Sequence, residues 1–165
     1  MSGYIKILKF IIILIISSLY VVYPKTDIGL KEYLYNSLPT KLKNIVPGIS
    51  TDKDLYKIVG APLKKTDGVF FYKISHKKYD TTICVRNGIV EYLIYQYKLD
   101  TLFLEDLKKW ISNKQVDEAI FRSDKLLHES DQDFEIDIAE HYIKIVVSRS
   151  SHKRVKSITF FGANK

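Results

Sequence analysis

The apolar run Phe10-Ile-Ile-Ile-Leu-Ile-Ile-Ser-Ser-Leu-Tyr-Val-Val-Tyr23 divides the chain before any other feature does. Such a run ends up in a bilayer, in a protein core, or cut away after export. At about 1.5 Å per residue it falls short of a hydrocarbon core about 30 Å thick, but a helix extended back to Tyr4 covers it. Lys6 and Lys9 then snorkel to the interface, and Tyr4, Tyr20 and Tyr23 supply interfacial aromatics. Pro24 ends the span. We read residues 4–23 as an uncleaved anchor. A cleaved signal peptide competes, but the small pair Ser17-Ser18 would leave a greasy new N-terminus, and no Ala-x-Ala site or lipoprotein cysteine follows. A buried core helix is the third reading. Positive charge ahead of the span favours a cytoplasmic N-terminus and a periplasmic or otherwise extracytoplasmic domain, although Lys25 and Lys31 pull the other way.

Beyond the anchor about 140 residues remain, enough for one domain or two small repeats sharing a core. The chain carries 26 Lys and Arg against 19 Asp and Glu, a net charge of +7. Lys6, Lys9 and Lys25 contribute to that sum with no acid before residue 26, so the domain is only mildly basic and no nucleic-acid partner is expected. The one local basic patch, Ser151-His152-Lys153-Arg154 with Lys156, falls where a solvated hairpin turn is expected. Cys84 is the single cysteine, which excludes an internal disulfide and suits a buried thiol in an exported domain.

Thr26 to Leu38 places Leu30, Tyr33, Leu34 and Leu38 at helical spacing, with Asp27 as a cap and Pro39 as the stop. Lys41 to Pro47 is a connector. The stretch Pro47 to Pro62 is better punctuated. Thr51 is a good N-cap, and Asp54 can return the bond as in a capping box. Leu55, Ile58 and Val59 form a buried stripe, Gly60 suits a left-handed end, and Pro62 cannot continue the helix. Strands are predicted at Val69–Ser75, Tyr79–Val85 and Ile89–Tyr97, the last two joined by Asn87-Gly88, a strong hairpin signal. The third is apolar on both faces and so central in its sheet. A helix is then predicted at Asp100–Asn113, a further helical stretch from Gln115 to about Leu127, and strands at Phe134–Ala139, Tyr142–Arg149 and Val155–Phe161. This restart reads as a duplicated helix-plus-three-strand unit, or as chance recurrence of a common layout.

The run Pro47-Gly48-x-Ser50, then Leu55, then Val59-Gly60-x-Pro62, followed by a meander, resembles the SmpA/OmlA family, which includes the BamE subunit of the outer-membrane barrel-assembly machine. The resemblance covers about residues 45–97. In tandem, the same unit resembles the β-lactamase-inhibitor-protein fold. The resemblance implies a non-enzymatic envelope module that supports a partner protein. Family members are lipoproteins, whereas Cys84 lies in a predicted strand. Fold and compartment carry over; membership of the barrel-assembly complex does not.

No catalytic constellation emerges. His76, His128, His141 and His152 never pair at helical spacing, so no metal face forms. Asp131, Asp133, Glu135 and Asp137 resemble the start of a calcium loop, but Ile136 stands where Gly is needed and Tyr142 where Glu is needed. Strand alternation, acidic side out, explains the row better. No phosphate-cradling glycine loop or nucleophile elbow is present, and no cofactor or small-molecule substrate is inferred.

Tyrosine is over-used, with 12 residues. Tyr92, Tyr95 and Tyr97 share one predicted strand, and Tyr72 and Tyr79 sit on the two before it. They pack an amphipathic sheet or present a protein-binding face. Odd spacing puts Tyr92 and Tyr95 on opposite faces. Glu91 shares a face with Tyr95 and Tyr97, which suggests water there, so Tyr95 and Tyr97 are the expected exposed partner-binding aromatics, with Asp131 and Asp133 as acidic contacts.

The expected class is therefore α+β: an N-terminal transmembrane helix, then helix-plus-antiparallel-meander units, in tandem if the duplication holds. The boundaries are 1–25 for the anchor, 26–47 for a short helix and linker, 48–98 for the first unit and 99–165 for the second. The expected function is non-enzymatic, a membrane-anchored module binding another envelope protein. An inhibitor or immunity-type protein that blocks an exported toxin or enzyme is the alternative.

Overall fold

The computed structural model describes residues 29–75, 80–98, 101–126, 133–149 and 152–163. The expected anchor at residues 4–23, the Asp27 cap, His76, Tyr79, His128 and Asp131 lie outside them. Among the described residues no helix is long and apolar enough to cross a membrane.

The fold is α+β. Helices α1 (Leu30–Ser37), α2 (Asp52–Ile58) and α3 (Asn113–Leu126) accompany seven strands, β1 (Lys64–Thr66), β2 (Val69–Tyr72), β3 (Thr81–Arg86), β4 (Ile89–Gln96), β5 (Asp133–Ile138), β6 (Ile143–Ser148) and β7 (Val155–Phe161). All are antiparallel in one sheet of order β1-β2-β3-β4-β7-β6-β5, so β4 is central, as its two apolar faces require.

Local chemistry explains most boundaries. Leu38 is extended because Pro39 follows it, and α1 stops there. Thr51 and Asp54 form a capping box: Asp54 Oδ2 accepts the Thr51 N–H at 2.8 Å, and Thr51 Oγ1 accepts the Asp54 N–H at 3.3 Å. Gly60 leaves α2 at φ +91°, and Pro62 lies just beyond it. Asn87 and Gly88 are both left-handed, as a two-residue hairpin needs.

One predicted helix fails outright. The helix expected over Asp100–Asn113 is a short 3-10 turn at Leu104–Leu107, and the long helix is α3. Leu102, Leu104, Leu107 and Ile111 are buried all the same, so the apolar spacing marked burial and not helix. Ser112 and Gln115 exchange capping hydrogen bonds just ahead of α3, which starts the helix there. Strand β1 and the Asp67-Gly68 hairpin leading into β2 also went unpredicted.

The core lies on one face of the sheet. Phe70, Ile83, Leu93, Phe160, Ile143 and Ile138 pair in one continuous row across six strands, and all are buried. Tyr35 of α1 packs on Phe160, and Tyr56 of α2 meets Phe70 edge-on. Helix α3 runs against edge strand β5.

The two meanders repeat each other's hydrogen bonding. The Val90 N–H donates to Ser50 O at 2.8 Å, and the Val155 N–H to Leu102 O at 2.9 Å. Asp52 donates to Gly88 O, and Leu104 to Lys153 O. Asp106 accepts the Phe103 N–H as Asp54 accepts that of Thr51. Each central strand carries one bulged residue, Glu91 in β4 and Lys156 in β7. The bulge carbonyls accept from Gly162 and Tyr97 in turn.

Candidate partner-binding site

The bulge at Glu91 decides which aromatics meet solvent. In a regular β4, Glu91, Leu93, Tyr95 and Tyr97 would share a face. One extra residue between Val90 and Tyr92 breaks that alternation, so Val90, Leu93, Tyr95 and Tyr97 all point into the core. Tyr95 and Tyr97 are therefore not exposed; they retain 6% and 3% of their accessible surface. Their hydroxyls pair with Ser75 Oγ and Ser37 Oγ, and their rings meet edge to face at 5.0 Å. Burial pushes both phenols above their ordinary pKa. Tyr72 is buried too, its phenol pushed up to about 12.

The opposite face of the sheet is half-exposed, with Phe71, Thr82, Tyr92, Ile94, Val146 and Phe161 all intermediate in burial. At one end of it Cys84 pairs with Tyr92, Tyr92 with Phe161, and the Phe161 N–H donates to Tyr142 O at 2.9 Å. Three aromatic residues thus stand side by side across β4, β7 and the start of β6. Tyr92 and Phe161 are 6.2 Å apart in an edge-on arrangement. They line a cleft of about 620 Å³ with Tyr142, Arg86, Glu91 and Asp137. Arg86 Nη1 sits 3.2 Å from Glu91 Oε1 at its rim. Beneath, the Cys84 thiol faces Glu91 Oε2 at 3.7 Å and touches the Tyr92 hydroxyl. Burial is the main cause that holds the Cys84 thiol and the Tyr92 phenol above their ordinary pKa, so both stay neutral near pH 7.

Tyr142 is the unusual member. It has φ +54° and ψ +46°, a left-handed conformation costly for a bulky residue, and the residue is 45% exposed. Its side chain lines the cleft beside Phe161.

The acidic row is less free than the sequence suggests. Asp133 receives Lys156 Nζ at 2.7 Å, and Glu135 receives Lys144 Nζ at 2.8 Å. Asp137 stands 3.8 Å from the same Lys144. The hydrogen bond to Glu135 leads the causes that raise the Lys144 pKa. Among the described residues no three His, Cys, Asp or Glu side chains converge as a metal site.

No protein-family model matches the chain, and no curated protein matches it. A crystal structure of a DUF4309 family protein, YjgB, from Bacillus subtilis subsp. subtilis str. 168 is similar in outline. The TM-score is 0.49 at 12% identity, over 81% of this chain and 96% of that one. At that level the likeness bears on neither family nor activity.

The residues of the Pro47–Pro62 stretch hold the fold. Gly48 sits at φ +84° and donates to Val90 O at 2.7 Å, in backbone contact with Gly162. None of Pro47, Gly48, Thr51, Asp54, Gly60 and Pro62 lines the aromatic cleft. Sequence reading missed Phe161 and Tyr142 as site residues. Phe161 ends an expected strand and Tyr142 begins one, and only the β4–β7 pairing brings them beside Tyr92.

Proposed function

We propose that this chain is a non-enzymatic, membrane-anchored module of the cell envelope that binds another envelope protein through the open face of its sheet. The observation that carries this reading is the aromatic row Tyr92–Phe161–Tyr142 on a face that the helices leave half-exposed. Large aromatic contact area at low entropy cost is what protein interfaces favour. In the same reading residues 4–23 hold the domain at the membrane, with the N-terminus cytoplasmic and the domain outside. The two halves are tandem helix-plus-meander units in the manner of the β-lactamase-inhibitor-protein fold. The recurring hydrogen bonds and the matched bulges support that repeat. The module uses no cofactor, no nucleic acid and no small-molecule substrate.

The inhibitor or immunity-type alternative rests on the tandem-repeat reading, the Tyr-rich sheet and the acidic row, which could meet a basic active site. Lys144 and Lys156 already neutralise part of that row, so the scaffold or assembly role leads. The test is crosslinking pull-down from membranes with the full chain. Tyr92→Ala with Tyr142→Ala should lose the crosslinked partner, while Phe121→Ala, exposed on α3, should keep it. Equal capture by all three would sink the reading.

A further inference from the structure

The two ends of the open face are geometrically matched but chemically different. Val155 stands in the second meander where Val90 stands in the first, each next to its bulge. By that correspondence Tyr92 matches Ser157 and Phe161 matches Gln96. The second pair also faces across the β4–β7 seam, at Gln96↔Ser157. The sheet therefore closes with a polar pair at one end of the seam and an aromatic pair at the other. The aromatics are not what strand pairing requires. The left-handed Tyr142 adds a third ring at the same end, at a cost in backbone strain.

The charges at that end favour one kind of guest. Arg86 is held by Glu91 at the rim, and Asp137 faces the cleft with Lys144 beyond hydrogen-bond reach at 3.8 Å. Lys144 itself is engaged by Glu135. Asp137 keeps room for a hydrogen-bonded cation beside its longer ion pair with Lys144, and a planar guanidinium stacks on rings while hydrogen-bonding a carboxylate. We infer that the cleft takes an arginine side chain of the protein partner, stacked among Tyr92, Phe161 and Tyr142 and paired with Asp137. This rests on the reading of the open face as a partner surface.

The probe is N-acetyl-arginine-N-methylamide, titrated into the full chain in detergent micelles and followed by NMR of the aromatic rings. The neutral isostere N-acetyl-citrulline-N-methylamide is the comparison. The arginine probe should give saturable shifts at Tyr92, Phe161 and Tyr142 and bind at least about threefold tighter than the citrulline probe. Asp137→Asn, at an exposed position, should remove that preference, and Glu118→Gln on α3 should not. Equal binding of the two probes, shifts confined to other residues, or an unchanged preference in Asp137→Asn would overturn the inference. Loss of partner capture in Tyr92→Ala/Tyr142→Ala without arginine preference would overturn the cation site and leave the partner reading standing. Arginine preference with unaffected capture would keep the cation site and overturn the partner reading.

Discussion

Ile94 and Thr159 pair directly across the seam between β4 and β7, and they occupy the same place in their respective meanders. The same correspondence runs through the hydrogen bonds on either side of the seam. It relates the Glu91 bulge to the Lys156 bulge, the Ser50 acceptor to the Leu102 acceptor, and Gly162 to Tyr97 as donors to the bulge carbonyls. The sheet is continuous because two last strands meet in antiparallel register, which satisfies both edges at once.

The correspondence makes a direct prediction. Tyr92→Ser with Phe161→Gln copies onto one end of the seam the pair already present at the other. The double variant should fold, losing less than about 2 kcal/mol by urea denaturation, since both side chains are only half-buried. It should lose capture of the partner. A variant that fails to fold would show that the aromatic pair is core.

Tyr95 and Tyr97 should behave in the opposite way. Each fills the core and hydrogen-bonds a serine. Truncation to Ala should cost about 3–5 kcal/mol for either one, because a large ring leaves a cavity. Phe at the same positions should cost only about 1 kcal/mol, the net worth of one hydrogen bond. Thermal melting of the single variants checks both figures.

Much of this fold was legible because its punctuation is local. Thr51, Asp54, Gly60, Pro62 and Asn87-Gly88 act within a few residues of themselves, and each does in the structure what its chemistry requires. Asp67-Gly68 carried the same kind of signal ahead of β2 and was passed over. The site was less legible. Period-2 reasoning assigned Tyr95 and Tyr97 to water and Tyr92 to the opposite face, and a single bulged residue reversed the outcome. Bulges are set by cross-strand partners, here the Thr51–Ile89 bridge and the Gly162 N–H on Glu91 O, which lie far apart in the chain. The aromatic row joins β4 to the end of β7 and the turn before β6, far later in the chain, so no short window along the sequence contains it.

Gly162 should tolerate no side chain. A Cβ there would stand 2.7 Å from Gly48 N and 2.8 Å from Gly48 Cα, backbone atoms that cannot turn aside. Gly162→Ala should destabilise by about 1–3 kcal/mol, the range of an overpacked core. Gly29→Ala, with open space around it, serves as the control in the same denaturation series.

The Asp54 carboxylate gives a pH signature. Hydrogen bonds from the Thr51 backbone, then from its side chain, hold the Asp54 pKa below the ordinary carboxylate value. A pKa lowered on folding adds stability that is fully present above the unfolded value and is lost as pH falls through the folded one. Wild type should therefore lose stability below about pH 4 more steeply than Asp54→Asn does. Parallel acid limbs for the two proteins would show that the capping bond is not made in solution.

Tyr142 offers a test in which stability and binding move apart. The residue holds a left-handed backbone between the turn Ala139–His141 and β6, and it is partly exposed. Asn adopts that conformation more readily than Tyr, because its short amide bonds locally to the backbone. Tyr142→Asn should raise stability by roughly 0.5–1 kcal/mol through relief of that strain. The same change removes one of the three rings lining the cleft and should weaken partner capture. A gain in melting temperature together with a loss of capture would identify the strain as retained for binding. If Tyr142→Asn instead melts lower than wild type, the ring is a packing element, and the case for the cleft loses its third aromatic.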